Sequence, residues 1–319
     1  MRVVPTEGTK LPFWLTPIER RLEQALDAGR LAHAIAIHGP GGWGEKWLAE
    51  ALARRIIEHT GADAAPAWDL AHPDLKWVPP DETSGQVRVD EIRALGEFAV
   101  RTARSGVRKV GVIAEAEALN AAAGNALLKT LEEPPAGTYL LLVTNQISRL
   151  SATVRSRCQL VAVRPAQPDA VRDWLSARAG GVDERRLDAL VFELGGAPYA
   201  VLDALEKETE TLDALLAGIP GSTTPLRSVS DALAKGDVGT LLARWMRYVQ
   251  HEIARRARGA SGEPLGRFLA RCPQAALERF WDELAWGRRL VLGTSNANRS
   301  LLLEGLLLQW RELSHDSPD

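Results

Sequence analysis

Ala34-Ile35-Ala36-Ile37-His38-Gly39-Pro40-Gly41-Gly42-Trp43-Gly44-Glu45-Lys46 is the stretch that decides how this chain folds. Its opening five residues are a short apolar run, the pattern of a strand buried on both faces. Gly39, Gly41, Gly42 and Gly44 then punctuate the chain as a loop. From Lys46 to Glu58 the apolar side chains Trp47, Leu48, Leu52 and Ile56 recur at helical spacing. Strand, glycine loop and helix in that order open an α/β unit whose loop amides can cradle a phosphate group.

Working outward, Thr16-Pro17-Ile18-Glu19 predicts a helix to about Ala28, with Thr16 as N-cap, proline at the first helical position and Glu19 closing a capping box. Residues 61–86 dissolve into Ala, Pro, Asp and Gly and read as an irregular connection. Beyond it, Asp90 to Arg104 reads as helix and Lys109 to Ile113 as a buried strand. Asn120 is placed to cap a helix through Leu131 that Pro134-Pro135 ends. Tyr139 to Thr144 and Gln159 to Val163 read as further strands. Strands alternating with helices argue for a parallel sheet covered on both faces. After Pro165 only helical patterns remain. Residues 169–208 read as two or three helices broken at Gly180-Gly181 and Gly195-Gly196, Gly218 to Pro225 as a hinge, and the remainder as an all-helical domain.

The 319 residues are 45% hydrophobic and 25% charged, which excludes disordered, collagenous and coiled-coil classes. Thirty-nine Lys plus Arg against 41 Asp plus Glu leave a net charge of −2, so no global basic field draws the chain to nucleic acid or anionic lipid. Any nucleic-acid role is then local or shared with partners. The two cysteines, Cys158 and Cys272, match neither a disulfide framework nor a four-thiolate zinc site, and point to a reducing compartment. The opening residues lack a secretory pattern and no apolar run reaches the roughly 20 residues that span a bilayer, so a cytoplasmic protein without a membrane partner is expected.

The loop has the frame of a phosphate-binding G-x-x-x-x-G-K-[ST] sequence without its chemistry. Gly39 and Gly44 match, but Glu45 stands where the lysine belongs and Lys46 where the hydroxyl belongs. Two unit charges about 4 Å apart at an effective dielectric near 20 interact by roughly 4 kcal/mol, so a glutamate facing phosphate replaces attraction with repulsion of that order. Trp43 adds bulk beside it. The strand ending at Ile113 is followed by Ala114-Glu115, where a nucleotide hydrolase carries an Asp for magnesium and a Glu that positions water. No productive nucleotide, cofactor or metal site is expected at Gly39, Gly44, Glu45 and Lys46. Residual binding through the amides and Lys46 is the alternative for that loop.

Gly124-Asn125-Ala126-Leu127-Leu128-Lys129-Thr130-Leu131-Glu132-Glu133-Pro134-Pro135, followed by Val154-Arg155-Ser156-Arg157-Cys158-Gln159, resembles the AAA+ subunits of sliding-clamp loaders. His33-Ala34, His72-Pro73-Asp74, Val89-Asp90-Glu91-Ile92-Arg93 and Asn298-Arg299 before a leucine-rich final helix fit the same family. The broken loop and strand end are similar to its non-motor members in the bacterial DNA polymerase III clamp loader, whereas the motor subunits gamma and tau keep intact sites. The resemblance covers most of the chain, most strongly Leu31 to Val163.

What the resemblance implies is an arginine finger in trans: Arg157 of Ser156-Arg157-Cys158 projects into the ATP site of a neighbouring subunit. A planar cation at the γ-phosphate is typically worth about 10³ to 10⁵ in rate. Ser156 and Cys158 then serve packing and turn formation, and Cys158 is not a nucleophile. Thr144-Asn145 falls at the family's first sensor position and reads here as a strand-end cap, while Tyr199 of Gly195-Gly196-Ala197-Pro198-Tyr199 replaces a second-sensor arginine. Related subunits carry a four-cysteine zinc module after the loop helix. None stands between His59 and His72, so those histidines read as surface residues and the segment is expected to hold itself by packing through Trp68 and Trp77. The ten tryptophans read as packing or subunit-interface anchors rather than base-stacking platforms. The Arg299 to Leu313 helix carries too much apolar surface for one face and is expected to be sandwiched between helices.

The expected architecture is an AAA+ α/β domain over residues 1–164, a helical lid over 165–209 and an all-helical oligomerisation collar over 210–319. The implied function is a non-motor stator in a five-subunit ring with gamma/tau motor subunits and the clamp-opening delta subunit, reaching the sliding clamp and primed DNA through the complex. The alternatives are an autonomous ATPase or P-loop kinase with a divergent loop, and a DNA-binding module in its own right.

Overall fold

The structure is a computed structural model and describes residues 10–58, 66–81, 84–217, 219, 225–257, 269, 272–293 and 298–313. The chain groups into two compact units, Met1–Gly180 with Ala197–Glu206, and Gly181–Gly196 with Lys207–Asp319.

The first unit is built on five parallel strands: β1 (Ala34–His38), β2 (Leu75–Val78), β3 (Lys109–Ile113), β4 (Thr138–Thr144) and β5 (Gln159–Ala162), in the order β2-β3-β4-β1-β5. β1 lies between β4 and β5, with Ala34 opposite Leu140 and Ile35 opposite Gln159. All five residues of β3 are buried, the apolar Val110 to Ile113 as a two-faced sheet requires and Lys109 with its ammonium donating to the Phe98 carbonyl at 2.9 Å. Around it run α1 (Thr16–Asp27), α2 (Glu45–Ile56), α3 (Val89–Val100), α4 (Ala121–Glu132), α5 (Ala152–Arg155) and α6 (Pro168–Ser176). The chain then leaves the unit at α7 (Glu184–Glu193) and returns with α8 (Pro198–Glu206).

Alternate strand residues divide between the two faces. Ala34, Ala36, Ile113, Leu140 and Leu142 share one core with Ile92 and Leu95 of α3 and Leu127 and Leu131 of α4. Gly111 of β3 faces Leu95, whose Cδ1 would lie 2.5 Å from a Cβ there, so the helix can approach only because that side chain is missing. α2 packs on β1, β3 and β4 with Leu48, Leu52 and Ile56 buried. Each such side chain contributes about 1.5–3 kcal/mol.

Two local expectations are corrected. Residues 61–86 are not wholly irregular, because Leu75-Lys76-Trp77-Val78 forms the edge strand β2, paired with β3 through Leu75 opposite Val110. Thr16 is not the N-cap of α1. Leu15 holds that place, and the Thr16 hydroxyl donates back to the Leu11 and Pro12 carbonyls in a turn that already leads into the helix. Asn120 does cap α4, accepting from the Ala123 amide at 2.9 Å.

His72-Pro73-Asp74 anchors the start of β2. The buried Asp74 carboxylate accepts from the Arg104 and Ser105 amides at 2.7 Å each, and His72 accepts from the Asp74 amide through Nδ1. Burial pushes the Asp74 pKa up, but the Ser105 hydroxyl and the two amides outweigh it, so the group titrates below the ordinary carboxylate range. His72 is thus half-buried and tied into this network rather than a free surface residue, while His59 lies outside the described residues.

In the second unit, α7 packs with α9 (Leu212–Ala217), α10 (Leu226–Leu233), α11 (Val238–Ala257), α12 (Gln274–Leu292) and α13 (Arg299–Glu312) around one apolar core. At its centre Trp245 meets Phe280 and Trp310 at 5.3 and 5.4 Å between ring centroids. The buried Arg244 guanidinium pairs with Glu193 at 2.6 Å and donates to the Glu210 carbonyl, while the other Glu193 oxygen accepts from the Leu212 amide. Asn298 caps α13 through the Leu301 amide. Leu303, Leu306, Leu307 and Trp310 of α13 are buried against its neighbours, yet Leu301 and Leu308 are exposed, so only part of the helix is enclosed. Residues 218 and 220–224 of the expected hinge lie outside the described residues. Among the described residues no helix is long and apolar enough to cross a membrane.

Candidate functional site

The carboxyl ends of the parallel strands converge on one cavity of about 390 Å³. Gly42, Gly44, Glu45 and Lys46 line it after β1, Pro79 and Pro80 after β2, Ala114 and Glu115 after β3, and Val143 and Asn145 at the end of β4. This is where open parallel sheets place ligands, because the loops diverge there.

The loop geometry follows from its glycines. Gly41, Gly42 and Gly44 have φ of +86°, +72° and +100°, a region that glycine alone enters without strain. These turns aim amide groups into the loop. The group that meets them is the Glu45 carboxylate: Oε1 accepts from the Gly41 amide at 3.2 Å and Oε2 from the Trp43 amide at 3.1 Å. Glu45 is only 3% exposed. Burial pushes its pKa up, partly countered by the backbone amides of Glu45, Gly41, Trp43 and Gly44. The sequence places Glu45 opposite a phosphate; the structure turns its side chain back into the loop.

Lys46 points elsewhere. Its ammonium sits 3.7 Å from the centroid of the Trp68 ring, a cation–π contact, and burial lowers its pKa against the raising fields of Asp69 and Glu115. Glu115 turns the chain after β3 with φ of +55°, and Ala114 before it is buried. Thr144 caps its strand end through the Gln146 amide, and Asn145 donates its amide to Glu117. Tyr199 of α8 reaches the loop: its amide donates to the Gly42 carbonyl at 3.0 Å, and its ring would lie 2.6 Å from a Cβ on Gly44.

A run of aromatic contacts unforeseen from spacing encloses this loop. Trp47 stacks on Tyr199 at 5.8 Å and meets Trp68 edge-on at 4.9 Å, and Trp68 meets Trp77 at 5.7 Å. Trp174 of α6 contacts both Tyr199 and Trp14, and Trp14 donates its indole N–H to the Trp43 carbonyl. The expected packing through Trp68 and Trp77 is therefore present, extended by Trp47. Asp69 and the Pro79-Pro80 pair also line the cavity, without a motif to mark them.

Arg157 does not line that cavity. It lies just before β5 with its side chain 36% exposed, pairing with Glu132 at 2.6 Å and donating to the Thr153 carbonyl at 2.9 Å. Glu132 belongs to the Leu131-Glu132-Glu133-Pro134-Pro135 stretch, which is the sequence signal that links them. Ser156 donates to the Thr153 carbonyl as a turn residue, and burial pushes the half-buried Cys158 thiol up to about 11. Among the described residues no group of three His, Cys, Asp or Glu side chains is placed to hold a metal.

A family model described as "DNA polymerase III, delta subunit" matches residues 15–167. A DNA polymerase III subunit delta' of Pseudomonas aeruginosa is 30% identical over 311 residues, covering 88% of this chain and 92% of that protein. The chain belongs to the delta' subunits of DNA polymerase III. The delta' subunit of Escherichia coli is 29% identical, with 93% of this chain and 94% of that protein covered. A solved DNA polymerase III gamma subunit-related protein of Thermotoga maritima shares the fold at a TM-score of 0.52 and 18% identity, covering 94% of this chain and 99% of its own. Both delta' relatives span the two units described here, so the family assignment extends beyond the sheet.

Proposed function

We propose that this delta' family chain is the non-motor stator of a bacterial replicative clamp loader and lends Arg157 to the ATP site of a neighbouring motor subunit. The observation that carries the reading is the placement of that arginine: exposed, held by Glu132 and the Thr153 carbonyl, and absent from the lining of the chain's own cavity. A guanidinium so placed is available to another chain's phosphate. It has no role in a site that already lacks a lysine in the loop and an aspartate after β3. The chain then contributes to DNA replication without turning over ATP itself.

In this reading residues 1–164 act as the AAA+ domain, 165–209 as a helical lid and 210–319 as the collar of a five-subunit ring. The partners are gamma/tau motor subunits and the clamp-opening delta subunit, with the sliding clamp and primed DNA engaged through the complex. The test replaces Arg157 with Ala in the assembled complex. DNA- and clamp-stimulated ATP turnover at the adjoining site should fall by about 10³-fold or more, with ring assembly intact by size-exclusion chromatography. Unchanged turnover would refute the finger.

A further inference from the structure

A buried carboxylate ordinarily finds a cation or stays out of the core. Glu45 does neither: its two oxygens are bonded to the Gly41 and Trp43 amides inside the glycine loop, and the adjacent Lys46 ammonium is engaged with Trp68. We propose that the Glu45 carboxylate is a tethered anion occupying the oxyanion cradle of its own loop, holding the loop in a filled shape with no nucleotide bound. This deepens the reading of a chain without ATP turnover, and rests on it.

Three independent features support the assignment. Successive amides turned inward by left-handed glycines form a concavity suited to an anion, and the carboxylate is the anion found there. A Cβ on Gly39 would collide with Glu45 Oε1, so the residue that opens the loop must be glycine for the carboxylate to seat. Finally, the filled loop is what α8 rests on. The Tyr199 amide bonds to the Gly42 carbonyl, and the Ala197 and Ala200 methyl groups lie within 3.1 Å of where a Cβ on Gly42 would be. In a loop that must bind and release phosphate this joint follows the ligand. Here the ligand is covalently attached, and the joint between loop and α8 is fixed.

The test uses the full chain and inorganic pyrophosphate, with binding read by calorimetry and by the fluorescence of the tryptophans around the loop. The wild-type chain should show no saturable binding. Glu45→Ala, which vacates the cradle, should bind pyrophosphate at least about ten-fold more tightly than the wild type, and Glu45→Gln should fall between them because its NH₂ cannot accept an amide proton. A folded Glu45→Ala chain that binds no better than the wild type overturns the proposal while leaving the Arg157 reading untouched. Tight wild-type binding of pyrophosphate overturns it too, and wild-type ATP turnover would take the non-motor reading with it. If Glu45→Ala melts below the working temperature, a Tm raised by pyrophosphate supports the tethered anion and an unmoved Tm refutes it.

Discussion

Replacing Gly44 with Ala tests whether the loop and its aromatic surround are as tightly joined as their geometry implies. Gly44 sits at φ +100°, outside the regions a side chain tolerates, which costs about 1–3 kcal/mol. The new methyl would also lie 2.6 Å from both Leu15 Cδ1 and Tyr199 Cε2. Neither neighbour can retreat, since Leu15 is fully buried and Tyr199 lies between Trp47 and Trp174. Overpacking of this kind adds about 1–3 kcal/mol. The total of about 2–6 kcal/mol should lower the melting transition of the sheet-containing unit by roughly 5–20 °C, measured by circular dichroism on the full chain. Gly124→Ala is the internal control: it lies in α4 with nothing within 4 Å of its would-be Cβ, and the same chemical change should stabilise by about 0.5–1 kcal/mol. If Gly44→Ala melts at or above the wild-type temperature, or if the two substitutions move Tm in the same direction, the steric argument is wrong.

Glu193→Ala should destabilise the helical unit by about 3–5 kcal/mol in urea titration, because it strands the buried Arg244 guanidinium and the Leu212 amide together. Adding Arg244→Met should recover part of that loss, and a double variant no more stable than Glu193→Ala alone would contradict the pairing. For Asp74 the sign follows from its depressed pKa. Its stabilisation is fully present above the ordinary carboxylate value near 4 and is lost as pH falls from there through the lowered value. Asp74→Asn should therefore be about 1–3 kcal/mol less stable at pH 7, with the gap closing toward pH 3; a gap that stays constant with pH would show that the carboxylate charge is irrelevant.

The elements that could be read directly were those whose own residues carry the pattern. β1 is apolar up to His38 and β3 after Lys109, and Asn120 stands one residue before a helix that two prolines end, so their bounds agree with the structure closely. β2 was hidden because its four residues are interrupted by Lys76 and lie between His72-Pro73-Asp74 and Pro79-Pro80, which read as turns. It exists because the Arg104 and Ser105 amides pin Asp74 at its start and β3 supplies the ladder, both of them distant in sequence. In the site, the missing lysine and aspartate were visible as letters. The direction of the Glu45 side chain was not, because it depends on left-handed glycines turning amides inward, a property of backbone angles rather than of spacing. The aromatic enclosure was likewise scattered over residues 14–199 and joined only by folding. Glu132 is visible as part of the Leu131-Glu132-Glu133-Pro134-Pro135 stretch, but its pairing with Arg157 is set by the packing of α4 against α5 and the turn that follows α5.

β5 closes the sheet on one side, and among the described residues its outer row of peptide groups meets no further strand. It is four residues long, carries Leu160 at 48% exposure, and begins two positions after Arg157. Such a rim invites another chain to extend the ladder, and only its brevity restrains indiscriminate pairing. If Arg157 is lent to a neighbouring chain as proposed, a strand paired on this rim would begin two positions from it, and edge protection and guanidinium placement would share one narrow border.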